Sequence, residues 1–389
     1  MLLLDGGLNL KYRLMDVMSC PSCGNFPLVL SIKKENKNAY SLSPSKLYCE
    51  KYCEFNQRNI TLKDTLKSLK CTQCFKREVI DGELSCSKCH RLFSIKENIP
   101  VLLDFFESNT NINKKDSVLK VQNFWNLHPC FGKWASAQEQ FEVTEEYRYK
   151  SHPWLKKLVP FTGLKNQRML EVGCSQCIDL SQFTKHGTYT IGMDLTPEGI
   201  FLGKRRLEYL SLYQNADLII ANVEKIPFRA DSFEYVYSYG VIHHTKRTQR
   251  AIDNIYTVLK PKGEFNIMYY YTYSFTKVIE ATAKALNNFL VFVTRDKDIF
   301  WRITTLFPVG KKQRDVTAYR NTRISATLHA PIIKSYSKRQ SRRMFGKFKE
   351  VKFNLTHLHP IVQSITGRGR LGLFLERHWG WDLMIGGKK

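Results

Sequence analysis

Met169-Leu-Glu-Val-Gly-Cys-Ser-Gln-Cys-Ile-Asp-Leu180 is the stretch on which the fold turns. Met169 to Val172 reads as a buried strand, and Glu171 with Gly173 falls where a parallel strand hands over to its helix. Doubly wound sheets bind ligands at that carboxyl edge, and a glycine there lets the backbone approach a cofactor closely. About 20 residues on, Gly192-Met-Asp-Leu-Thr-Pro197 ends a second strand with Asp194, a carboxylate able to accept both hydroxyls of a ribose.

Working outward, short apolar runs alternate with helical periodicity, which predicts βαβ units around a parallel sheet. The expected strands are Met169 to Val172, Tyr189 to Met193, Leu218 to Ala221, Tyr235 to Tyr239 and Phe265 to Tyr271. Between them, Thr196 is placed to cap a helix that has Pro197 at its first position and Glu198 in its first turn. Ala251, Ile252, Ile255, Tyr256 and Leu259 recur at helical spacing, and Pro261 with Gly263 stops that helix. The fold class is therefore α/β, a Rossmann-like doubly wound sheet.

A different chemistry precedes it. Eight of the eleven cysteines lie before residue 90, in four short pairs: Cys20/Cys23, Cys49/Cys53, Cys71/Cys74 and Cys86/Cys89. Two intervening residues let one tight turn aim both thiolates at a single ion, and two such turns complete a tetrahedral zinc shell, so eight ligands suffice for two zinc ions. Cys20-Pro-Ser-Cys-Gly24 carries the glycine that turns backbone amides toward sulfur, whereas Cys86-Ser-Lys-Cys-His90 does not, and His90 reads as a bystander. Cys174/Cys177 repeats the spacing, but its place on a strand-to-helix turn argues for loop packing.

Leu14-Met-Asp-Val-Met-Ser-Cys-Pro-Ser-Cys-Gly24, followed by the segment from Gly82 to Leu103, resembles the small zinc-ribbon proteins that partner and activate methyltransferases. That resemblance assigns Cys20, Cys23, Cys86 and Cys89 to one zinc site and leaves Cys49, Cys53, Cys71 and Cys74 for a second on an insertion. The Glu171 and Asp194 segments, with Asn222-Val-Glu-Lys-Ile-Pro-Phe228 and Val236-Tyr-Ser-Tyr-Gly-Val-Ile-His-His-Thr245, resemble class I S-adenosylmethionine-dependent methyltransferases of the ubiquinone-biosynthesis-like kind. The likeness implies that Glu171 and Gly173 border the methionine part of the cofactor, that Asp194 holds its ribose, and that Asn222 with Val223 flanks its adenine. Ser175 and Leu195 complete the implied cofactor set.

The chain departs from that family in its loop. Ser175 and Cys177 stand where glycines are usual, Asn222 where aspartate is common, and Lys262 where glycine often sits. Side chains at 175 and 177 are expected to crowd the cofactor. Methyl transfer needs donor and acceptor held in contact and any acceptor proton removed. His243 and His244 follow the fourth strand at the rim, and histidine suits a general base at neutral pH.

The expected domains are a cysteine-rich zinc-ribbon module at 1–108, a linker and helical lid at 109–160, and a methyltransferase domain at 161–389 with a substrate-side insertion at about 272–345. Asn109 to Lys115 is the polar linker, and aromatics from Phe124 to Trp154 mark the lid. No run approaches the roughly 20 apolar residues of a membrane span, and no targeting segment stands out, so a cytoplasmic location is expected. The net charge is +25, and from Lys311 to Glu350 twelve Lys or Arg face two acids. Such a surface favours phosphate-bearing partners, and RNA is one of them. No Asn-Pro-Pro-Tyr-type motif follows the fourth strand, and Ser337/Gln340 reads as the capping box of a short helix on the substrate side. The resemblance places that helix in a C-terminal substrate-side region and implies a small-molecule, sugar or lipid-linked acceptor, with a tRNA or rRNA methyltransferase and a non-catalytic scaffold as the competing readings.

Overall fold

The computed structural model describes residues 10–37, 44, 46–103, 117–129, 137–295, 330–358, 360–367 and 369–389. The linker at 109–115 and residues 296–329, which hold part of the substrate-side insertion and half of the basic segment, lie outside them.

In chain order the strands are β1 (Leu10–Lys11), β2 (Val29–Asn36), β3 (Tyr52–Cys53), β4 (Arg58–Asn59), β5 (Glu78–Ser85), β6 (Leu92–Lys96), β7 (Ile99–Leu102), β8 (Arg168–Val172), β9 (Tyr189–Asp194), β10 (Ala216–Ala221), β11 (Phe233–Tyr239), β12 (Leu259–Tyr271), β13 (Ser335–Tyr336), β14 (Lys349–Thr356) and β15 (Asp382–Lys388). The helices that matter here are α1 (Cys71–Phe75), α2 (Ser117–Leu127), α3 (Ala137–Ser151), α4 (Leu155–Leu158), α5 (Ile178–Lys185), α6 (Pro197–Tyr209), α7 (Thr248–Val258) and α8 (Phe275–Thr294).

Strands β10, β9, β8, β11 and β12 lie side by side and parallel, and antiparallel β15 and β14 extend the far edge. Every residue of β8 and of β10 is buried, as covering both faces of a parallel sheet requires. The chain runs outward from β8 to β10 and then returns to β11 on the other flank of β8. Strand order reverses there, which opens a crevice at the carboxyl ends of β8 and β11. All five expected strands are present. β12 starts at Leu259, earlier than the expected Phe265, because Lys262 adopts φ +66° and a register shift between Phe233 and Tyr235 absorbs the irregularity.

The cysteine module is not a separate body behind a linker. Its last strand, β7, pairs parallel with β10 (Ile220 opposite Val101, Ala221 opposite Leu102), so one sheet runs through both parts. Buried ion pairs fasten the seam. Asp217 on β10 accepts from Arg13 Nε at 3.0 Å and Lys11 Nζ at 3.3 Å, and Tyr189 Oη donates to it at 2.6 Å. Burial works to raise the pKa of Asp217, yet Arg13 and Lys11 outweigh it and leave the carboxyl below its ordinary range. Asp16, fully buried, accepts from Arg168 at 3.1 Å and from the backbone N–H groups of Glu50, Lys51 and Tyr52. A single hydrophobic core joins Leu14, Met15, Met18 and Leu84 of the module to Val172, Ile191, Phe228 and Ile255. Among the described residues no helix is long and apolar enough to cross a membrane.

Candidate functional site

The ends of β8 to β11 enclose a cavity of about 790 Å³ of free space, open to solvent at its mouth. Gly173, Ser175, Asp194, Leu195, Asn222 and Val223 line it together with Tyr239, His244 and the lid residues Val121 and Trp125. Helix α2 closes one side because Gln122 Nε2 donates to the Leu195 carbonyl at 2.8 Å and Asn126 Oδ1 accepts from Glu198 N at 3.2 Å. Asn126 therefore does the capping of α6 that the sequence gives to Thr196, whose own hydroxyl turns to Asp194 at 2.7 Å.

Asp194 is the organiser of this rim. Its Oδ1 accepts from Thr196 N at 2.8 Å and its Oδ2 from Ser175 N at 2.9 Å, so one carboxylate ties the β8–α5 loop to the end of β9. Burial raises its pKa, and the bonds from Thr196 and Ser175 oppose that rise. Glu171 lies just below the cavity and does not line it. It is buried, its pKa is raised well above the carboxylate range by burial and then by Asp179, and its Oε2 has no hydrogen-bond partner among the described residues.

At the other end of the chain, Cys20, Cys23, Cys86 and Cys89 bring their sulfurs within 4.8 Å of one another. Cys20 lies 3.6 Å from Cys89 and Cys23 lies 3.5 Å from Cys86. Four thiolates around a zinc at about 2.3 Å would stand about 3.8 Å apart, so the donor set and spacing fit that ion. Both knuckles close with a left-handed residue, Gly24 at φ +73° and His90 at φ +58°. His90 does the conformational work of the missing glycine and is not in the cluster.

Residues 170–267 match the family model described as Methyltransferase domain, and residues 11–98 match that of Trm112p-like protein. The chain joins a class I methyltransferase domain to a Trm112p-like module. Over 99 residues it is 32% identical to the ubiquinone/menaquinone biosynthesis C-methyltransferase UbiE of Rickettsia prowazekii (strain Madrid E), and equally to that of Rickettsia typhi (strain ATCC VR-144 / Wilmington). Those matches cover 25% of this chain and 38% of each relative, so the chain spans well under half the length of the curated relatives it matches. Among solved structures it is similar to a complex between the Haloferax volcanii Trm112 methyltransferase activator and the putative methyltransferase (12% identity, 65% of this chain, 94% of that chain, TM-score 0.41). It is also similar to Haemonchus contortus phosphoethanolamine N-methyltransferase 2 in complex with S-adenosyl-L-methionine (13% identity, 69% of this chain, 60% of that chain, TM-score 0.40).

Within the methyltransferase domain Cys177 is turned away from the cavity, whereas Ser175 lines it. Ser175 and Cys177 both hold the left-handed conformation, at φ +42° and +57°, that glycine would take without strain. Their side chains are received by glycines on α6: a Cβ on Gly203 would meet Cys177 Sγ at 2.5 Å, and one on Gly199 would meet Ser175 Cα at 3.2 Å. Cys177 is fully buried and does not line the cavity, so the expected crowding at 177 does not occur. Helix propensity alone would make Gly203→Ala stabilising by about 1 kcal/mol. The contact should reverse that sign, to a loss of about 1–3 kcal/mol of overpacking, and Cys177→Gly should restore part of it. Denaturant melts of both single variants and the double variant check this, and strictly additive effects would count against the packing.

The two histidines part company. His244 lines the cavity, its ring centre 5.1 Å from that of Trp125, and its Nδ1 lies 2.7 Å from the Ile332 carbonyl. That bond assigns the proton to Nδ1 and leaves Nε2 with its lone pair. Burial pushes the pKa down to about 4. His243 does not line the cavity. It is fully buried against Tyr270 at 4.2 Å, and neither ring nitrogen has a hydrogen-bond partner among the described residues. A short 3-10 turn, Ile242–His244, sends the two successive rings in different directions, which the His-His dipeptide alone does not reveal.

In the Trm112p-like module, Cys49, Cys53, Cys71 and Cys74 do not form a second cluster as tight as the first. They are neighbours nonetheless. The Cys74 thiol is pushed up to about 12 by burial and then by Cys53 and Cys71, and Asn56 Nδ2 donates to Cys53 Sγ at 3.1 Å.

Sequence reasoning passed over the buried carboxylate Asp179. It accepts from Arg148 Nε at 3.1 Å and from the hydroxyls of Tyr149 and Tyr237, both at 2.9 Å, fastening α3 to α5 and β11. Arg206, fully buried on α6, donates to the carbonyls of Gln176 and Phe141, each at 2.9 Å. An arginine on the apolar face of an otherwise amphipathic helix is the signal that marks such a tie.

Proposed function

We propose that the chain is an S-adenosylmethionine-dependent methyltransferase whose acceptor is a small molecule, a sugar or a lipid-linked group. The observation that carries the reading is the Asp194 rim: a half-buried carboxylate held by the glycine-bearing loop, in a lidded cavity at the switch point of the sheet. The residues present fit the cofactor. Asp194 keeps an acceptor site on Oδ2 for a ribose hydroxyl, Asn222 and Val223 form the wall expected beside adenine, and Leu195 packs on the same rim. A Cβ on Gly173 would lie 2.1 Å from Val241, so the loop reaches the cavity with bare backbone. Glu171, buried beside Gly173 with no partner for Oε2 among the described residues, borders the methionine part from beneath the cavity. The cofactor when bound supplies a methyl group on a sulfonium, ready for in-line displacement.

His244 is the residue we assign to the acceptor's proton. A pKa near 4 leaves the imidazole neutral at pH 7, so Nε2 accepts a hydrogen bond from an acceptor hydroxyl or amine and orients it. His243 takes no part in this assignment. Cys20, Cys23, Cys86 and Cys89 hold one zinc, and Cys49, Cys53, Cys71 and Cys74 a second. The closer grouping of the first quartet supports the first of these, and the influence of Cys53 and Cys71 on Cys74, and of Cys74 and Cys53 on Cys49, supports the other.

Methyl-labelled S-adenosylmethionine incubated with the protein and fractionated cell extract tests the acceptor class. Label is expected in the small-molecule or lipid fraction, with a shallow dependence on salt. Label in RNA would overturn it, above all if binding to that RNA fell by about 10³-fold between 50 and 200 mM salt, the response of roughly six phosphate contacts.

A further inference from the structure

Beside the cofactor cavity, and outside the cysteine module, His152, His357 and Asp382 place one potential ligand atom each within 4.8 Å of one another. They arrive from distant parts of the chain: His152 directly after α3, His357 directly after β14, and Asp382 at the start of β15. We propose that these three side chains bind a divalent transition-metal ion, with at least one coordination position left open.

The electrostatics favour a cation. Asp382 is fully buried, and His152 is 1% exposed. His152 Nδ1 lies 2.7 Å from Ser151 Oγ and 3.1 Å from the Arg148 carbonyl, which makes it the protonated nitrogen and fixes the ring. His357 Nδ1 stands 3.2 Å from Asp382 Oδ2, close to the roughly 3.4 Å between neighbouring ligands of a tetrahedral ion with metal–ligand distances of about 2.1 Å. A simple ion pair would need one imidazole. Here a second ring meets the first edge to face at 5.2 Å against the same carboxylate, so two imidazoles and an anion share one buried space.

The supports around these residues are those of a held site. Tyr239 Oη donates to Asp382 Oδ2 at 2.5 Å, and the His152 ring is fixed through its other nitrogen, the arrangement that sets the tautomer of a ligating histidine. His357 sits at φ +65°, a costly conformation for a non-glycine residue, and Glu376 holds it there by accepting from its backbone N–H at 2.8 Å. Two imidazoles with one carboxylate suit zinc or iron(II) rather than magnesium or calcium. Three protein ligands with an open position is also the pattern of zinc sites that bind a further molecule. Tyr239 lines the cofactor cavity, so the ion would stand one side chain away from it. The site itself does not depend on the methyl-transfer reading.

The test uses the full chain. Protein dialysed against a mild chelator, reloaded with excess zinc and desalted is expected to carry about one zinc per chain more in the wild type than in His357→Gln or in Asp382→Asn. Circular dichroism of each variant checks that it remains folded. Cobalt(II) loading of the wild type gives a reading that needs no variant: about one equivalent should bind with visible bands of a nitrogen and oxygen site, without thiolate charge-transfer absorption. Equal zinc in wild type and folded variants, or cobalt bound only with thiolate character, would overturn the proposal and leave the three residues as a hydrogen-bonded network.

Discussion

Purified Cys86→Ser protein is expected to lose one zinc per chain, to unfold its N-terminal module and to destabilise the methyltransferase domain with it. Zinc binding by four thiolates contributes about 10 kcal/mol or more to the folding of a small module, because the unfolded chain has no formed site. Cys86 supplies one sulfur and, through its carbonyl, the bond from His90 N at 2.9 Å that closes its knuckle. Losing the module would also strip β7 from β10 and leave Asp217 and Arg168 buried without the partners that now neutralise them. Removing one partner of a buried ion pair costs about 3–5 kcal/mol, and an uncovered strand edge invites aggregation. Elemental analysis with a denaturant melt checks both halves. A variant that lost zinc while its methyltransferase domain melted unchanged would show that the shared sheet carries no stability.

Asp194→Ala is expected to weaken binding of S-adenosylmethionine or S-adenosylhomocysteine by about 2 kcal/mol or more, roughly 30-fold, the scale of a lost pair of charge-assisted hydrogen bonds. The structure gives a reason for the larger side of that range. Asp194 also holds Ser175 N and Thr196 N, so its removal frees the loop as well as the ribose contact. Asp194→Asn keeps one acceptor oxygen and should fall between the two. Unchanged affinity in the alanine variant would mean that the cofactor site has been misplaced.

The parallel core was legible because its signals are local. Strands of apolar residues, Glu171 and Asp194 at strand ends and Pro197 at a helix start each depend on a few neighbouring residues. The Ser337/Gln340 capping box is likewise present, with Ser337 Oγ accepting from Gln340 N at 3.2 Å. What escaped the sequence is pairing between distant residues. Nothing near Val101 announces that it lies beside Ile220, or that Lys11 and Arg13 meet Asp217 across some two hundred residues. The loop shows the same limit in reverse. Cys177 reads as an obstacle when taken alone, and only Gly203 on the facing helix shows where its bulk goes. His243 and His244 look equivalent in a dipeptide and are separated by the turn that carries them. The triad of His152, His357 and Asp382 had no motif to betray it, since its members come from three elements.

Calorimetric titration of the wild-type chain with S-adenosylmethionine tests the central claim most directly. The account predicts one site per chain with micromolar or tighter affinity. No heat and no thermal stabilisation at millimolar cofactor would contradict it, and would leave a methyltransferase fold kept as a scaffold.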